Sequence, residues 1–209
     1  NVGVSEVVND SRNVTKDCLF ICVIGMNFDG HSAAAQAAAD GARVLVVSKE
    51  VELPAESEIT VIQVEDTRYA MAFIAANFYG NPAQSMKIIG ITGTKGKTTT
   101  AYFVKDILEQ AGHQVGLIGT VEAIIGGKVI PADNTTPEPL VLQRYFKEMK
   151  EAGCDVVVME ASSQGFKMHR TQGFVFDYGI FTNLEPDHIA AGEHASFEEY
   201  LACKAMLFR

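Results

Sequence analysis

The sequence predicts an α/β protein of two units: a small N-terminal α/β unit, then a unit with a mostly parallel sheet around a phosphate-binding turn. Short apolar runs rich in Val and Ile alternate with helix-length segments along the chain, the pattern of strands buried in a parallel sheet. The stretch "GNPAQS", residues 80–85, interrupts this alternation with linker-type residues before it restarts. Finally, "GITGTKGKTTT", residues 90–100, sets a glycine turn between a strand and a helix.

In residues 1–82, "CLFICVI", "RVLVVS" and "ITVIQV" read as strands. "SAAAQAAADGA" reads as a helix stopped at Gly41, and "TRYAMAFIAANFY" as a second helix. Residues 83–209 open with the strand "MKIIGIT", the glycine turn and a helix from Lys97 to Gln110. The strand "QVGLIG" and a hairpin-like "VEAIIGGKVI" follow, then a helix with Thr136 as N-cap and Pro137 as its first residue. Strands "DVVVME" and "FDYGIFTN" and a last helix from Phe197 complete the pattern.

A chain of 209 residues that is 47% hydrophobic is able to bury a real core. Its net charge of -9, with no run of basic residues, argues against a surface that tracks nucleic acid. The longest apolar stretch, "CLFICVIGM", is too short to span a bilayer, and no signal-like segment opens the chain. A cytoplasmic, monomeric protein is expected. Cys18, Cys22, Cys154 and Cys203 form no CxxC pair, and Cys18 and Cys22 share one predicted strand, so buried reduced thiols are expected.

The glycine turn departs from the common P-loop, since Gly93-Thr94-Lys95-Gly96-Lys97-Thr98 leaves two residues, not four, between its first glycine and Gly-Lys-Thr. Its chemistry is nonetheless that of a phosphate site. Glycines let backbone N–H groups converge on phosphate oxygens, and the helix adds its positive end. Lys97 then reaches the outer phosphates and the Thr98 hydroxyl is offered to Mg²⁺. A plain strand-to-helix turn capped by threonines is the alternative, and Lys95 reads equally as a solvated cation.

Three further residues point to a cation. Glu160 ends the apolar strand "DVVVME", either as a solvated strand end or as a carboxylate that needs a positive partner. His188 in "TNLEPDH" follows another strand, as a loop residue or as a second ligand. In "FEEYLACKAMLF", Phe197, Leu201, Lys204 and Phe208 stand at helical spacing, which places Lys204 on an apolar face. Such a lysine either snorkels to solvent or is neutralised, and a neutral amine takes up CO₂ to form a carbamate.

Together, "GTKGKTT", "MEASSQGFKMHR", "TNLEPDH" and the lysine of "YLACKAMLF" resemble the Mur ligases, ATP-dependent amide-forming enzymes of peptidoglycan synthesis. "NDSRNV", "DGH" at residues 29–31 and "DNTTPEP" resemble its UDP-N-acetylmuramoyl-tripeptide synthetase branch, which adds the third amino acid of the stem peptide. The short glycine spacing is this family's own form of the turn.

The resemblance implies ATP phosphates at Gly93, Thr94, Lys95, Gly96, Lys97, Thr98 and Thr99. It implies Mg²⁺ at Thr98, Glu160 and His188, and a second Mg²⁺ on a carbamate of Lys204. For the UDP-muramoyl-dipeptide it implies contacts from Ser11, Asn134, Thr135, Thr136, Ser162 and Arg170. Gln164, Met168 and "HIAAGEH" depart from the family's commoner residues and stay outside the implied site. The implied reaction activates the dipeptide's carboxylate as an acyl phosphate, which an amino acid's amine then attacks. Family members are longer, so the chain reads as an inactive fragment: a substrate domain over 1–82, an incomplete ATP domain over 83–209, and no C-terminal domain. Rival readings are another Mur or folylpolyglutamate-type ligase, and a non-catalytic nucleotide-binding module.

Overall fold

The computed structural model describes residues 3–25, 28–54, 57–187 and 194–209. The chain separates into two compact units, Asn1–Phe78 and Tyr79–Arg209. The split precedes "GNPAQS" rather than falling after residue 82. Pro82–Ser85 forms a 3-10 turn whose Pro82 and Ala83 are buried, and Ala83 packs in the second unit's core.

The first unit carries four parallel strands in chain order: β1 (Val7–Val8), β2 (Leu19–Ile21), β3 (Val44–Val47) and β4 (Thr60–Gln63). The helices are α1 (Ala34–Ala39), preceded by a 3-10 turn over Gly30–Ala33, and α2 (Thr67–Phe78). Gly41 follows α1 with φ +100, the left-handed stop read from the sequence. Phe20, Leu45 and Val47 pack with Ala34 and Ala37 in one core.

The second unit is a six-stranded sheet in the order β10-β5-β9-β6-β7-β8. Its parallel part joins β10 (Tyr178–Phe181), β5 (Lys87–Thr92), β9 (Val156–Glu160) and β6 (Val115–Ile118). The antiparallel hairpin β7 (Glu122–Ile125) and β8 (Lys128–Pro131) turns through Gly126 and Gly127, both at positive φ. α3 (Lys97–Gln110) covers one face through Ala101, and α4 (Pro139–Glu151) the other through Leu142, Phe146 and Met149.

Register positions the site: Ile91 lies opposite Glu160, and Thr92 opposite Phe181. The ends of β5, β9 and β10 therefore meet at one edge, where the glycine turn leaves the sheet.

The expected cap of α4 is corrected. The helix begins at Pro139 behind Glu138, two residues later than read, because the Thr136 hydroxyl is engaged elsewhere. Short β1 and α5 (Ser163–Lys167) were not legible in the sequence. Among the described residues no helix is long and apolar enough to cross a membrane. All four cysteines are free and buried.

Candidate active site

The glycine turn is shaped by backbone that only glycine adopts with ease. Gly93 sits at φ +147, and a Cβ there would lie 2.0 Å from Thr182 Oγ1. Gly96, at φ +80, precedes α3 and provides no side-chain cap. The N–H groups of the first turn, at Lys97, Thr98 and Thr99, are thus left for a ligand at the helix's positive end. Lys97 Nζ folds back onto the carbonyls of Gly93 (3.0 Å) and Thr94 (3.2 Å). Burial weakens its hold on its proton, and the charges of Glu160 and Asp187 oppose that loss.

The outer wall of the turn is pinned. Thr94 Oγ1 accepts from Glu185 N (2.9 Å) and from the Tyr200 hydroxyl (3.0 Å). Lys95 N donates to Asn183 Oδ1, while its ammonium pairs with Glu185 and faces solvent.

Glu160, 1% exposed, ends β9 inside this edge. Its Oε1 accepts from Thr120 N (2.9 Å), and its Oε2 from Thr98 Oγ1 (3.1 Å) and Thr120 Oγ1 (2.9 Å). Among the described residues no three His, Cys, Asp or Glu side chains cluster as a metal cage. Hydroxyls around a single carboxylate are instead the hard-oxygen donor set that suits Mg²⁺ shared with phosphates and water. His188 lies outside the described residues.

Gly119 guards the carboxylate, because a Cβ there would lie 2.5 Å from Glu160 Oε1. Gly119→Ala is therefore expected to displace Glu160 and raise the Mg²⁺ needed for half-maximal activity by roughly tenfold, as loss of ligand orientation does. A Mg²⁺ titration of the intact polypeptide checks it.

Lys204 is buried as expected, yet by a different face of α6 (Phe197–Ala205). Tyr200, Cys203, Lys204 and Leu207 point inward, whereas Leu201 and Phe208 are exposed. The 4-3-4 spacing of apolar residues drew the stripe one position away from the true one. Lys204 does not snorkel: Nζ donates to the Gly93 carbonyl at 2.7 Å and stands 4.5 Å from the centroid of the Tyr200 ring.

Burial, and then the nearby charge of Lys97, bring the Lys204 pKa down to about 8, against an ordinary value of 10.5. A depressed lysine is the reverse of an ion-paired one. Below pH 8 both folded and unfolded chains carry the proton, so the burial penalty stands in full. Between about 8 and 10.5 the unfolded chain binds more protons and stability rises with pH. Urea unfolding in CO₂-free buffer near pH 7 and near pH 10 checks this, with wild type gaining stability relative to Lys204→Met.

Thr136, Ser162 and Arg170 come together beside Glu160. The fully buried Thr136 Oγ1 donates to the Glu160 carbonyl (3.1 Å), accepts from Ser162 N (3.0 Å) and lies 3.2 Å from Ser162 Oγ. Ser162 caps α5 by accepting from Gly165 N, and Arg170 joins the Thr136 carbonyl to the Glu138 carboxylate. Thr135 Oγ1 lies 3.1 Å from Thr120 Oγ1, and exposed Asn134 lines a cavity of about 180 Å³ with Gly119, Pro137 and Tyr145. In the first unit, Ser11 lines a cavity of about 490 Å³ with Asn9, Asp10, Arg12 and Phe28.

Sequence reasoning missed Thr120 and Tyr200. A hydroxyl just past the end of "QVGLIG" and an aromatic four residues before Lys204 were the available signals.

The description "Mur ligase middle domain" matches residues 91–209, and "Mur ligase family, catalytic domain" matches residues 4–79. The chain belongs to the Mur ligase family.

This Mur ligase chain is 44% identical over 205 residues to the UDP-N-acetylmuramoyl-L-alanyl-D-glutamate--2,6-diaminopimelate ligase of Clostridium perfringens (strain 13 / Type A), covering 98% of this chain and 42% of that protein. Ligase 1 of the same description from Clostridium acetobutylicum is 46% identical over 210 residues, again with 42% of its length covered. The chain thus spans about two-fifths of the length of the curated relatives it matches. A solved structure of a UDP-N-acetylmuramoyl-L-alanyl-D-glutamate--2,6-diaminopimelate ligase superposes with TM-score 0.78 at 25% identity, over 98% of this chain and 41% of that one. A MurF ligase from Thermotoga maritima, solved in complex with ADP, shares the fold with TM-score 0.65 at 21% identity, over 97% of this chain and 42% of that one.

Proposed function

We propose that this chain is the substrate and nucleotide part of an ATP-dependent ligase that joins diaminopimelate to UDP-N-acetylmuramoyl-L-alanyl-D-glutamate through an acyl phosphate. The observation that carries this is the convergence of Thr98, Thr120 and Glu160 at the mouth of the glycine turn, with the Lys204 amine on the Gly93 carbonyl of that turn. The diaminopimelate ligases related along the whole chain support the choice of substrates.

The chemistry must bring a carboxylate against a triphosphate, two anions that repel. The turn's N–H groups and the N-terminus of α3 neutralise the phosphates, and Lys97, freed from the Gly93 and Thr94 carbonyls, reaches the phosphoryl group in transfer. Thr98 and Glu160 would hold Mg²⁺, and His188, which lies outside the described residues, would be its third ligand. Bound there, the metal supplies Lewis-acid stabilisation of charge on the phosphoryl oxygens. Lys204, once converted by CO₂ to a carbamate, would add an anionic ligand for a second Mg²⁺.

Ser162 and Arg170, with Asn134 and Thr135, orient the dipeptide carboxylate, the fully buried Thr136 holds Ser162 and Arg170 in place, and Ser11 binds the UDP end. Fixing both reactants makes the amine's attack effectively unimolecular.

The test is phosphate release by the intact polypeptide that carries this chain, given ATP, Mg²⁺, the UDP-muramoyl-dipeptide and a panel of amino acids. Release that depends on both the dipeptide and diaminopimelate is expected. ATP hydrolysis indifferent to every amino acid would overturn the ligase reading and favour a nucleotide-binding module.

A further inference from the structure

Thr92 ends β5 one residue before Gly93, is fully buried, and its Oγ1 has no hydrogen-bond partner among the described residues. Buried hydroxyls are ordinarily paired, so an orphan beside a reactive group marks where a partner arrives.

The alternation of β5 shows which layer this hydroxyl faces. A side chain on Gly90 would strike Leu207 and Phe176, so Gly90 faces the segment that continues α6. Thr92, two residues on, faces the same layer, whereas Ile91 packs with Ala101 of α3. Lys204 lies one helical turn from Leu207 on the same buried face, and its Nζ ends on the Gly93 carbonyl. Thr92 is thus bracketed along the strand, with Leu207 over Gly90 on one side and the Lys204 amine at Gly93 on the other.

We propose that Thr92 Oγ1 donates the hydrogen bond that holds the carboxylate formed on Lys204, so that Thr92 and Lys204 together make a CO₂ site. The inference rests on the carbamate reading of Lys204 above. In the step, the Nζ lone pair of the neutral amine attacks the carbon of CO₂ and a C–N bond forms. One C=O π pair moves onto oxygen, and an N–H proton leaves to water. The nitrogen keeps an N–H for the Gly93 carbonyl, while the new carboxylate brings acceptors that the amine lacked. The Thr92 hydroxyl supplies the matching donor. Thr92 is a positioning residue, acting through Lys204.

The test is ¹³C NMR of the intact polypeptide equilibrated with ¹³C-bicarbonate, following the carbamate carbon in wild type, Thr92→Val, Thr92→Ser and Lys204→Ala. A signal is expected in wild type and not in Lys204→Ala. Thr92→Val should need about tenfold more bicarbonate for half occupancy, the loss expected for one hydrogen bond to a charged group, and Thr92→Ser should stay close to wild type. In CO₂-free buffer Thr92→Val should unfold at the same temperature as wild type or higher, because it removes an unpaired buried hydroxyl.

Equal occupancy in wild type and Thr92→Val, or equal loss in the Val and Ser variants, would overturn the role of Thr92 and leave the carbamate standing. So would a markedly lower unfolding midpoint for Thr92→Val, since the hydroxyl would then already have a partner. No Lys204-dependent signal in wild type would overturn the carbamate reading and this inference with it.

Discussion

Replacing Lys97 with Ala is expected to lower dipeptide-dependent phosphate release by about a thousandfold, chiefly in kcat, the scale on which a preorganised charge-stabilising donor acts. Among the described residues the side chain hydrogen-bonds the carbonyls of Gly93 and Thr94, on its own turn. Removing it therefore leaves the packing of α3 through Ala101 in place. Circular dichroism and the unfolding midpoint should stay near wild type while turnover collapses. A parallel loss of ATP binding and of stability would instead make Lys97 a structural clamp on the turn.

Glu160→Gln is expected to act on metal rather than on fold. The substitution keeps the size of the side chain among Thr98, Thr120 and Gly119 but removes the carboxylate charge at the centre of that oxygen cluster. The Mg²⁺ needed for half-maximal release should rise by about a hundredfold or more, beyond the roughly 10–100-fold typical of changes to groups that merely orient ligands. Without metal the variant should stay within about 1–2 kcal/mol of wild type, because Gln keeps an acceptor for Thr120 N and both threonine hydroxyls are able to turn and accept from its amide, while the cost of burying the charge is removed. Mg²⁺ titration and unfolding in EDTA separate the two effects.

Much of this was legible because it is local. A strand, a glycine turn and a helix from Lys97 to Gln110 are contiguous in sequence, and the structure starts and ends α3 at those residues. The Gly126-Gly127 hairpin is likewise a short-range signal. What escaped is what tertiary contacts decide. Thr136 followed by Pro137 has the form of a helix start, but the carbonyl of Glu160, 24 residues away, takes its hydroxyl, and Pro139 opens the helix instead.

Burial of Lys204 could be read from its spacing, but the face that buries it could not, since helical periodicity fits stripes one position apart nearly equally well. Tertiary contacts chose instead: Cys203 and Leu207 pack with Ala161 and Phe166, and the Tyr200 hydroxyl bonds to Thr94. Thr120 reaches Glu160 from the bend between β6 and β7, 40 residues away in sequence, and α5, at five residues with an internal Gly165, is too short to show a period.

The most direct test of the central claim is a crystal structure of the intact polypeptide with a non-hydrolysable ATP analogue and Mn²⁺ in place of Mg²⁺, located by its anomalous scattering. A manganese peak bonded to Thr98 Oγ1 and Glu160 is predicted, with phosphates along Gly93 to Thr99 and a carboxylate on Lys204 Nζ beside a second peak. Nucleotide bound away from the glycine turn, or manganese remote from Glu160 with Lys204 still a bare amine on the Gly93 carbonyl, would contradict the account.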